Sequence, residues 1–355
     1  MTDLESLGWN SFFASHFAPY EKDGLIPARI TIEQKTHFFA ATGKEELRAS
    51  LAGKLRFKAR GEEDVPGVGD WVALRPTPGE RTATIVRVLP RKSKFSRKTV
   101  GRERAEQTVA ANIDVVFLVN ALDATFNLRR LERYLVLAAG SGAQPAVVLN
   151  KSDLCDDLSR LVNEVRAVAS QIPVYVMSAA RGEGLEPLRN SLGIGVTGAF
   201  LGPSGVGKST IINRLIGLEK LKTRKVREYD GKGRHTTSHR EMVVLPSGGI
   251  LIDTPGMREL QLWEGEEGIE EAFDDIESLA ATCRFRNCRH DSEPECAVRK
   301  ALQEGILDQG RYASYLKLQR EIERQSRTYD SRAQAVEKER VRKLTSRQHR
   351  DTRKR

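Results

Sequence analysis

The chain lacks any apolar run approaching the ~18 residues that a membrane span needs, so it is not expected to cross a bilayer. Its first residues, MTDLESLGWNSFFASHF, lack the basic start and long apolar stretch of a secretion signal. No lipidation signal or amphipathic anchor is evident, which sets a membrane-bound reading aside. A soluble, cytoplasmic protein is expected. Cysteine is scarce, with 4 in 355 residues, too few for a disulfide scaffold. Three of the four, Cys283, Cys288 and Cys296, lie close together. In a reducing compartment such clustering points to metal rather than disulfides. Cys155 stands apart and reads as an ordinary side chain. Acidic residues are outnumbered, Asp+Glu 48 against Lys+Arg 58, giving a net charge of +10 and a pI near 9.5. That balance favours a polyanionic partner, nucleic acid above all.

A length of 355 residues is long for one domain. Residues 1–34 carry little pattern and are expected to be an N-terminal extension. Residues 35–100 mix short alternating stretches with turn residues, as in VGDWVALRP and TATIVRVLPRKSKFSRK, and predict a small β-barrel or a generic β domain. Arg87, Arg91, Lys92, Lys94, Arg97 and Lys98 cluster at its end. They form either a solvated face or a phosphate-contacting rim.

The texture changes over residues 101–265. IDVVFLVNAL, PAVVLNKSD, IPVYVMSA, GAFLGPSG and GGILIDTPG are apolar runs ending in loops, with helical patterns such as NLRRLERYLVLAAGSG and LSRLVNEVRAVASQ between them. Buried parallel strands alternating with helices predict a doubly wound α/β sheet, with ligands at the carboxyl ends of the strands. Residues 266–328 read as mostly helical around the cysteines, and residues 329–355 as a basic tail. Residues 320–355 hold 13 Lys/Arg against 6 Asp/Glu. Such a tail either only solubilises the chain or forms an arm for RNA phosphates.

GPSGVGKST spans Gly202, Pro203, Ser204, Gly205, Val206, Gly207, Lys208, Ser209 and Thr210. Placed between an apolar strand and an amphipathic helix, it is a phosphate-binding loop. The glycines let backbone N–H groups turn toward phosphate oxygens, and the following helix adds its positive end. Lys208 can reach the β- and γ-phosphates, and the Ser209 hydroxyl can ligate Mg²⁺. The base is chosen by NKSD: Asn150, Lys151, Ser152 and Asp153. The Asp153 carboxylate can accept from guanine N1–H and the exocyclic amine. Adenine offers neither donor on that edge and would leave the carboxylate buried and unpaired. Asn150 can bond the base and neighbouring loops, and the Lys151 stem can lie over the purine. Ser178 and Ala179 end the next strand and can support the base through backbone N–H groups. In DTPG, Asp253 can hold magnesium through water and the Gly256 N–H can meet a γ-phosphate. The segment GKGRHTTSH offers Thr236 or Thr237 as a second magnesium ligand. Its His235 is either a surface histidine or a catalytic one that orients water.

The run CRFRNCRHDSEPEC has the spacing C-x4-C-x-H-x5-C, placing Cys283, Cys288, His290 and Cys296 together. Three thiolates and one imidazole fill a tetrahedral shell, which makes this a structural Zn²⁺ site rather than a catalytic one. Arg284, Arg286 and Arg289 interleave the ligands and offer a surface toward RNA.

The base loop precedes the phosphate loop, the reverse of the usual GTPase order. A doubly wound sheet can be cut at one loop and rejoined where its termini meet, leaving the same strand ends around one nucleotide. The chain then leaves the sheet just after DTPG, so hydrolysis there is expected to move the C-terminal domain. This order resembles the circularly permuted GTPases. With GDWV upstream and the Cys/His run downstream, the chain over roughly residues 36–320 is similar to the bacterial small-ribosomal-subunit-dependent GTPases of the RsgA family. The resemblance implies a multidomain protein: an OB-type β-barrel, a circularly permuted α/β P-loop GTPase domain and a mostly helical zinc-binding domain. It implies GTP hydrolysis to GDP in late maturation of the small ribosomal subunit, stimulated by that subunit, with 16S rRNA as partner. The chain is expected to act as a monomer, away from membranes. Met257 stands where many GTPases have a water-orienting glutamine, so slow intrinsic hydrolysis is expected, with His235 or a partner group completing the site. A nucleotide-gated RNA-binding module with incidental turnover is the alternative.

Overall fold

The computed structural model describes residues 3–34, 36–53, 55, 65–98, 106–217, 240–253 and 266–323. The chain forms two compact units, Met1–Gln261 and Leu262–Arg355.

In the first unit, β1 (Ile26–Glu33), β2 (Phe38–Ala41), β3 (Glu46–Leu51), β4 (Trp71–Pro76) and β5 (Thr82–Val88) make a five-stranded barrel in the order β1-β2-β3-β5-β4. Pairing of β1 with β4 closes it. All contacts are antiparallel except β3 with β5, the partly open Greek-key arrangement of an OB fold. Inward residues alternate along β3, whose Leu47 and Ala49 are buried between exposed neighbours. They join Ile30, Leu74 and Ile85 in one apolar core. The barrel therefore starts inside the stretch expected to be an extension, because β1 supplies both its closing pairs.

A charged residue at a fully buried position explains why β1 is hard to recognise. Arg29, 1% exposed, lies on the face of β1 away from the barrel core that Ala28 and Ile30 fill, and donates to the carbonyls of Leu7 (2.5 Å), Gly69 (3.1 Å) and Asn112 (3.0 Å). Burial pulls its guanidinium down to about 10, opposed by the charges of Asp114 and Asp70. The GDWV segment meets it there. A Cβ on Gly69 would lie 2.2 Å from the Ala111 carbonyl oxygen, and its φ is +91. Trp71 is fully buried with Trp9 and Phe13 of the N-terminal segment at 4.7 and 5.7 Å. Asp70 accepts from Gly67 N–H at 2.8 Å and from two Arg91 nitrogens at 2.8 and 2.7 Å. Arg91 is thus not a free cation on the expected basic rim. Lys92 lies over the rings of Phe12 and Phe13.

After the hairpin β6 (Lys94–Lys98) and β7 (Glu106–Ala111) come β8 (Val115–Ala121), β9 (Gln144–Asn150), β10 (Val174–Val176), β11 (Thr197–Leu201), β12 (Arg240–Val244) and β13 (Ile250–Asp253). Their order is β10-β9-β8-β11-β13-β12, parallel except for β12. Helices Leu128–Ala139, Leu158–Val168, Glu186–Ser191 and Lys208–Ile216 make the crossovers. The phosphate-loop strand β11 is central in the sheet yet comes after β8–β10 in the chain, which is the permuted connectivity. β12 also pairs with β1, Ile32 opposite Glu241 and Glu33 opposite Arg240. The sheet and the barrel therefore share one run of eleven strands.

The second unit is helical over Glu266–Ala272, Asp274–Ala281, Ala297–Gln303 and residues 309–323. Phe273, Ile276, Val298, Tyr315 and Leu318 are buried in it. Arg311 binds both oxygens of Asp275 (2.7 and 2.6 Å) and stacks 4.6 Å over Phe273. Among the described residues no helix is long and apolar enough to cross a membrane. His235, Thr236, Thr237, Gly256, Met257 and the basic tail lie outside the described residues.

Candidate active site and metal centre

The loops after β8, β9, β10 and β11 meet at one edge of the sheet. β11 leads into Gly202, whose φ is +157; a Cβ there would lie 2.4 Å from the Val119 carbonyl oxygen. A Cβ on Gly207 would lie 2.1 Å from Asn150 Nδ2. Both positions thus need glycine for close approach, besides any demand from phosphate. Gly207 caps helix Lys208–Ile216 without a side-chain acceptor, so the first-turn N–H groups face the loop. Lys208 Nζ donates to the carbonyls of Gly202 and Pro203, both at 2.6 Å. Val206 is buried, whereas Ser204, Gly205, Ser209 and Thr210 are exposed.

Asn150 is 2% exposed and ties three loops together. Its Nδ2 donates to the Val206 carbonyl at 2.8 Å and its Oδ1 accepts from Ala179 N–H at 2.9 Å. Ser152 N–H donates to the Met177 carbonyl at 3.1 Å, a second tie between the base loop and the strand beside it. Asp153 Oδ1 is buried and has no hydrogen-bond partner among the described residues. Its Oδ2 lies 3.8 Å from Arg181 Nε. A hydrogen bond from Ser178, aided by the charges of Arg181 and Lys151, holds the carboxyl below the usual carboxylate range against burial. An ionised, partly buried carboxylate with one orphaned oxygen suits a ligand offering N–H donors. Ser178 is itself fully buried and receives Arg181 N–H at 3.3 Å.

Two further residues enter this edge without having been singled out from the sequence. Arg214, on the helix after the phosphate loop, donates to the carbonyls of Ala179 (3.1 Å) and Ala180 (2.8 Å). Asp123 pairs with Lys151 Nζ at 2.8 Å. The available signal was a D-x-T triplet closing an apolar strand, the pattern of an Asx turn. The β13 backbone ends at Asp253, and β13 lies beside β11 through Ala199 opposite Ile252. That puts Asp253 at the same sheet edge as the phosphate loop.

In the second unit the ligand atoms of Cys283, Cys288, His290 and Cys296 all lie within 4.8 Å of one another. His290 Nδ1 is 3.6 Å from Cys283 Sγ and 3.4 Å from Cys296 Sγ, and the two sulfurs are 3.9 Å apart. A tetrahedral zinc shell has edges of roughly 3.5–3.8 Å, given its usual bond lengths, close to the separations among Cys283, His290 and Cys296, with Cys288 within 4.8 Å of the other three, so the four could hold such an ion. Glu293 accepts from the backbone N–H groups of Arg289 (2.9 Å), Asp291 (3.0 Å) and Ser292 (3.2 Å), shaping the loop between ligands. Those bonds lower its carboxyl to about 2.

The family model for the RsgA GTPase matches residues 88–263. A small ribosomal subunit biogenesis GTPase RsgA from Opitutus terrae is 46% identical over 96% of this chain and 95% of its own. One from Syntrophotalea carbinolica is 42% identical over 98% and 96%. This chain belongs to the RsgA GTPase family. A crystal structure of YjeQ from Thermotoga maritima covers 84% of this chain and 98% of its own, with 28% identity and a TM-score of 0.62. YloQ, described as a circularly permuted GTPase, shares the fold at a TM-score of 0.61 and 23% identity. The chain is a GTP hydrolase of RsgA type, with an N-terminal barrel, a permuted GTPase domain and a helical region holding a Cys3His group that can bind zinc.

Proposed function

We propose that this RsgA-family GTPase acts in late maturation of the small ribosomal subunit, binding 16S rRNA and hydrolysing GTP to GDP and phosphate when the subunit stimulates it. The convergence of Asn150 on Val206 and Ala179 carries the nucleotide half of this reading. It makes one pocket of loops that are remote in the chain. The ribosomal half rests on relatives of that name at 46% and 42% identity over nearly their whole length.

In this reading Asp153 receives the guanine N1–H and amine, and Ser178 and Ala179 back the base. The phosphate loop from Gly202 to Thr210 wraps the phosphates. Lys208 leaves its loop carbonyls for the β- and γ-oxygens. Water attacks the γ-phosphorus, the bond to the β–γ bridging oxygen breaks, and Lys208 and loop N–H groups stabilise the charge that develops. Ser209, Thr236 or Thr237, and Asp253 are the residues that would hold Mg²⁺ brought with GTP, which would neutralise phosphate charge. Met257 cannot orient water, so His235 or a group from the subunit does. Zinc in the Cys283, Cys288, His290 and Cys296 shell is structural.

Two surfaces suit RNA. On the outer face of β2 and β3, the ring of Phe39 lies 5.3 Å from that of His37, and Arg48 sits opposite Phe39 in the ladder. Arg284 stacks 5.6 Å from exposed Phe285 beside the metal ligands. Aromatic faces beside cations take up unpaired bases and phosphates. We further read the protein as a cytoplasmic monomer.

The deciding experiment is GTP turnover titrated separately with purified small and large ribosomal subunits. Strong stimulation by small subunits alone supports the enzyme reading. Unchanged turnover with tight subunit binding would instead leave a nucleotide-gated RNA-binding module.

A further inference from the structure

β8 and β9 run side by side and finish in register, Ala121 opposite Asn150, with Leu122 N–H donating to the Asn150 carbonyl at 2.8 Å. Just beyond that row stand Asp123 on one strand and Lys151 on the other. Asp123 Oδ2 accepts from Lys151 Nζ at 2.8 Å. Asp123 Oδ1 accepts from the Thr125 N–H at 2.9 Å and the Thr125 hydroxyl at 2.5 Å. Arg130 in turn donates to the Thr125 carbonyl at 2.6 Å. The carboxylate is therefore built into its turn rather than swinging on the surface. Lys151 is fixed at its other end as well. Its backbone has φ 63, a left-handed conformation unfavourable for a residue with a Cβ. The flanking ties of Asn150 and Ser152 hold it there. The methylene stem is stretched between two anchored points, next to Asp153.

We propose that Asp123 is a positioning residue for nucleotide binding: it anchors the Lys151 ammonium so that the lysine stem lies flat along the base pocket and packs on the purine face. The inference rests on reading Asn150–Asp153 as the guanine loop. A loose lysine would lose side-chain freedom when a base ordered it; an anchored one has already lost it. Asp123 touches neither base edge nor phosphate, so it sets how long nucleotide stays bound. It leaves base preference and the hydrolytic step alone.

The test is stopped-flow release of fluorescent N-methylanthraniloyl-GDP from the full-length protein. Asp123→Asn keeps an acceptor for Thr125 but loses the charge; Lys151→Met keeps the stem but offers Asp123 nothing. Each is expected to speed release about tenfold, and the double variant no more than Lys151→Met alone, because both changes break one contact. In Asp123→Asn, turnover at saturating GTP stays within twofold of the parent protein, and the preference among GTP, inosine triphosphate and xanthosine triphosphate is unchanged. Thr125→Val, which strips one donor and keeps the charge, gives a smaller acceleration and covers the case in which Asp123→Asn does not fold. The proposal is overturned if release from Asp123→Asn, or from Thr125→Val should that variant stand in, matches the parent. It is equally overturned if the acceleration persists undiminished on the Lys151→Met background, or if base preference shifts. Asp153→Asn, run in parallel, tests the guanine-loop reading by itself: if it leaves GTP preferred over xanthosine triphosphate, that reading fails whatever Asp123 does.

Discussion

Asn150 and Val206 lie 56 positions apart in the chain, yet the Asn150 amide donates to the Val206 carbonyl at 2.8 Å. That single contact joins the base loop to the phosphate loop across the permutation. Reordering the chain has left the strand ends where an unpermuted sheet would have them, because β8, β9, β10 and β11 still deliver their loops to one edge. The reordering changes which loop the chain leaves by.

Replacing Asn150 should therefore damage the pocket more than the fold. Both of its hydrogen bonds are buried, and losing each leaves a group unsatisfied at about 1–3 kcal/mol. Asn150→Ala is expected to weaken GDP binding about a hundredfold by fluorescence titration. Asn150→Asp can still accept from Ala179 N–H but cannot donate to Val206, and should fall between.

Arg214 acts one step further out. Its two bonds hold the carbonyls of Ala179 and Ala180 in the loop expected to support the base. Arg214→Ala frees that loop, so the KM for GTP should rise about tenfold while kcat at saturation holds. Steady-state turnover with small subunits reads both; an equal fall in kcat would mean that the phosphate loop itself had shifted.

A segment is legible in the sequence when its residues face constraints of their own. GPSGVGKST and NKSD stand out because a phosphate-binding loop and a guanine-reading loop would demand those residue types at those spacings, and the buried strands before them because both faces are covered. β1 does not, since its sequence IPARITIE buries Arg29 on the face away from the barrel core, against partners that lie far along the chain. Arg91 likewise looks like one more cation on a basic rim until Asp70 folds against it, 21 positions away. Asp123 has a local signature, but its partner Lys151 is supplied by the next strand. Such non-local pairings have no periodicity to betray them.

The Asp123 pair also makes a prediction about acid. Hydrogen bonds from Lys151 and then Thr125 lower the Asp123 carboxyl from 3.8 to about 2. A group with a depressed folded value stabilises the fold fully above its unfolded value and loses that contribution as pH falls through the folded one. After allowance for its partial exposure the contribution is about 1–2 kcal/mol. Urea unfolding should show Asp123→Asn less stable than the parent by that amount at neutral pH. The gap should close between roughly pH 5 and pH 2.

Removing the metal should affect the two units differently. The Cys3His shell supports only short helices and loops around it, and small metal-bound domains draw their folding energy from the ion. Metal analysis is expected to return one zinc per chain. Cys288→Ser, or chelation, should open residues 266–323 to protease while GDP binding by the first unit persists, because every described nucleotide-site residue lies within Met1–Gln261.

Arg29 gives the sharpest test of how the barrel is fixed. Burying its charge is unfavourable; the fall from 12.5 to about 10, which is net of the attraction of Asp114 and Asp70, corresponds to roughly 3 kcal/mol. Arg29→Met would relieve it. The same change strips donors from three buried carbonyls, those of Leu7, Gly69 and Asn112, at about 1–3 kcal/mol each. The second effect outweighs the first, so Arg29→Met should be destabilised by about 2–4 kcal/mol in urea. Arg29→Lys, whose single ammonium cannot span three acceptors held by a planar fork, should recover less than half of the loss. A variant as stable as the parent would mean that the β1–β12 pairing and the remaining bonds from Asn112 to Gly69 and from Ala111 to Val68 hold barrel and sheet together without Arg29.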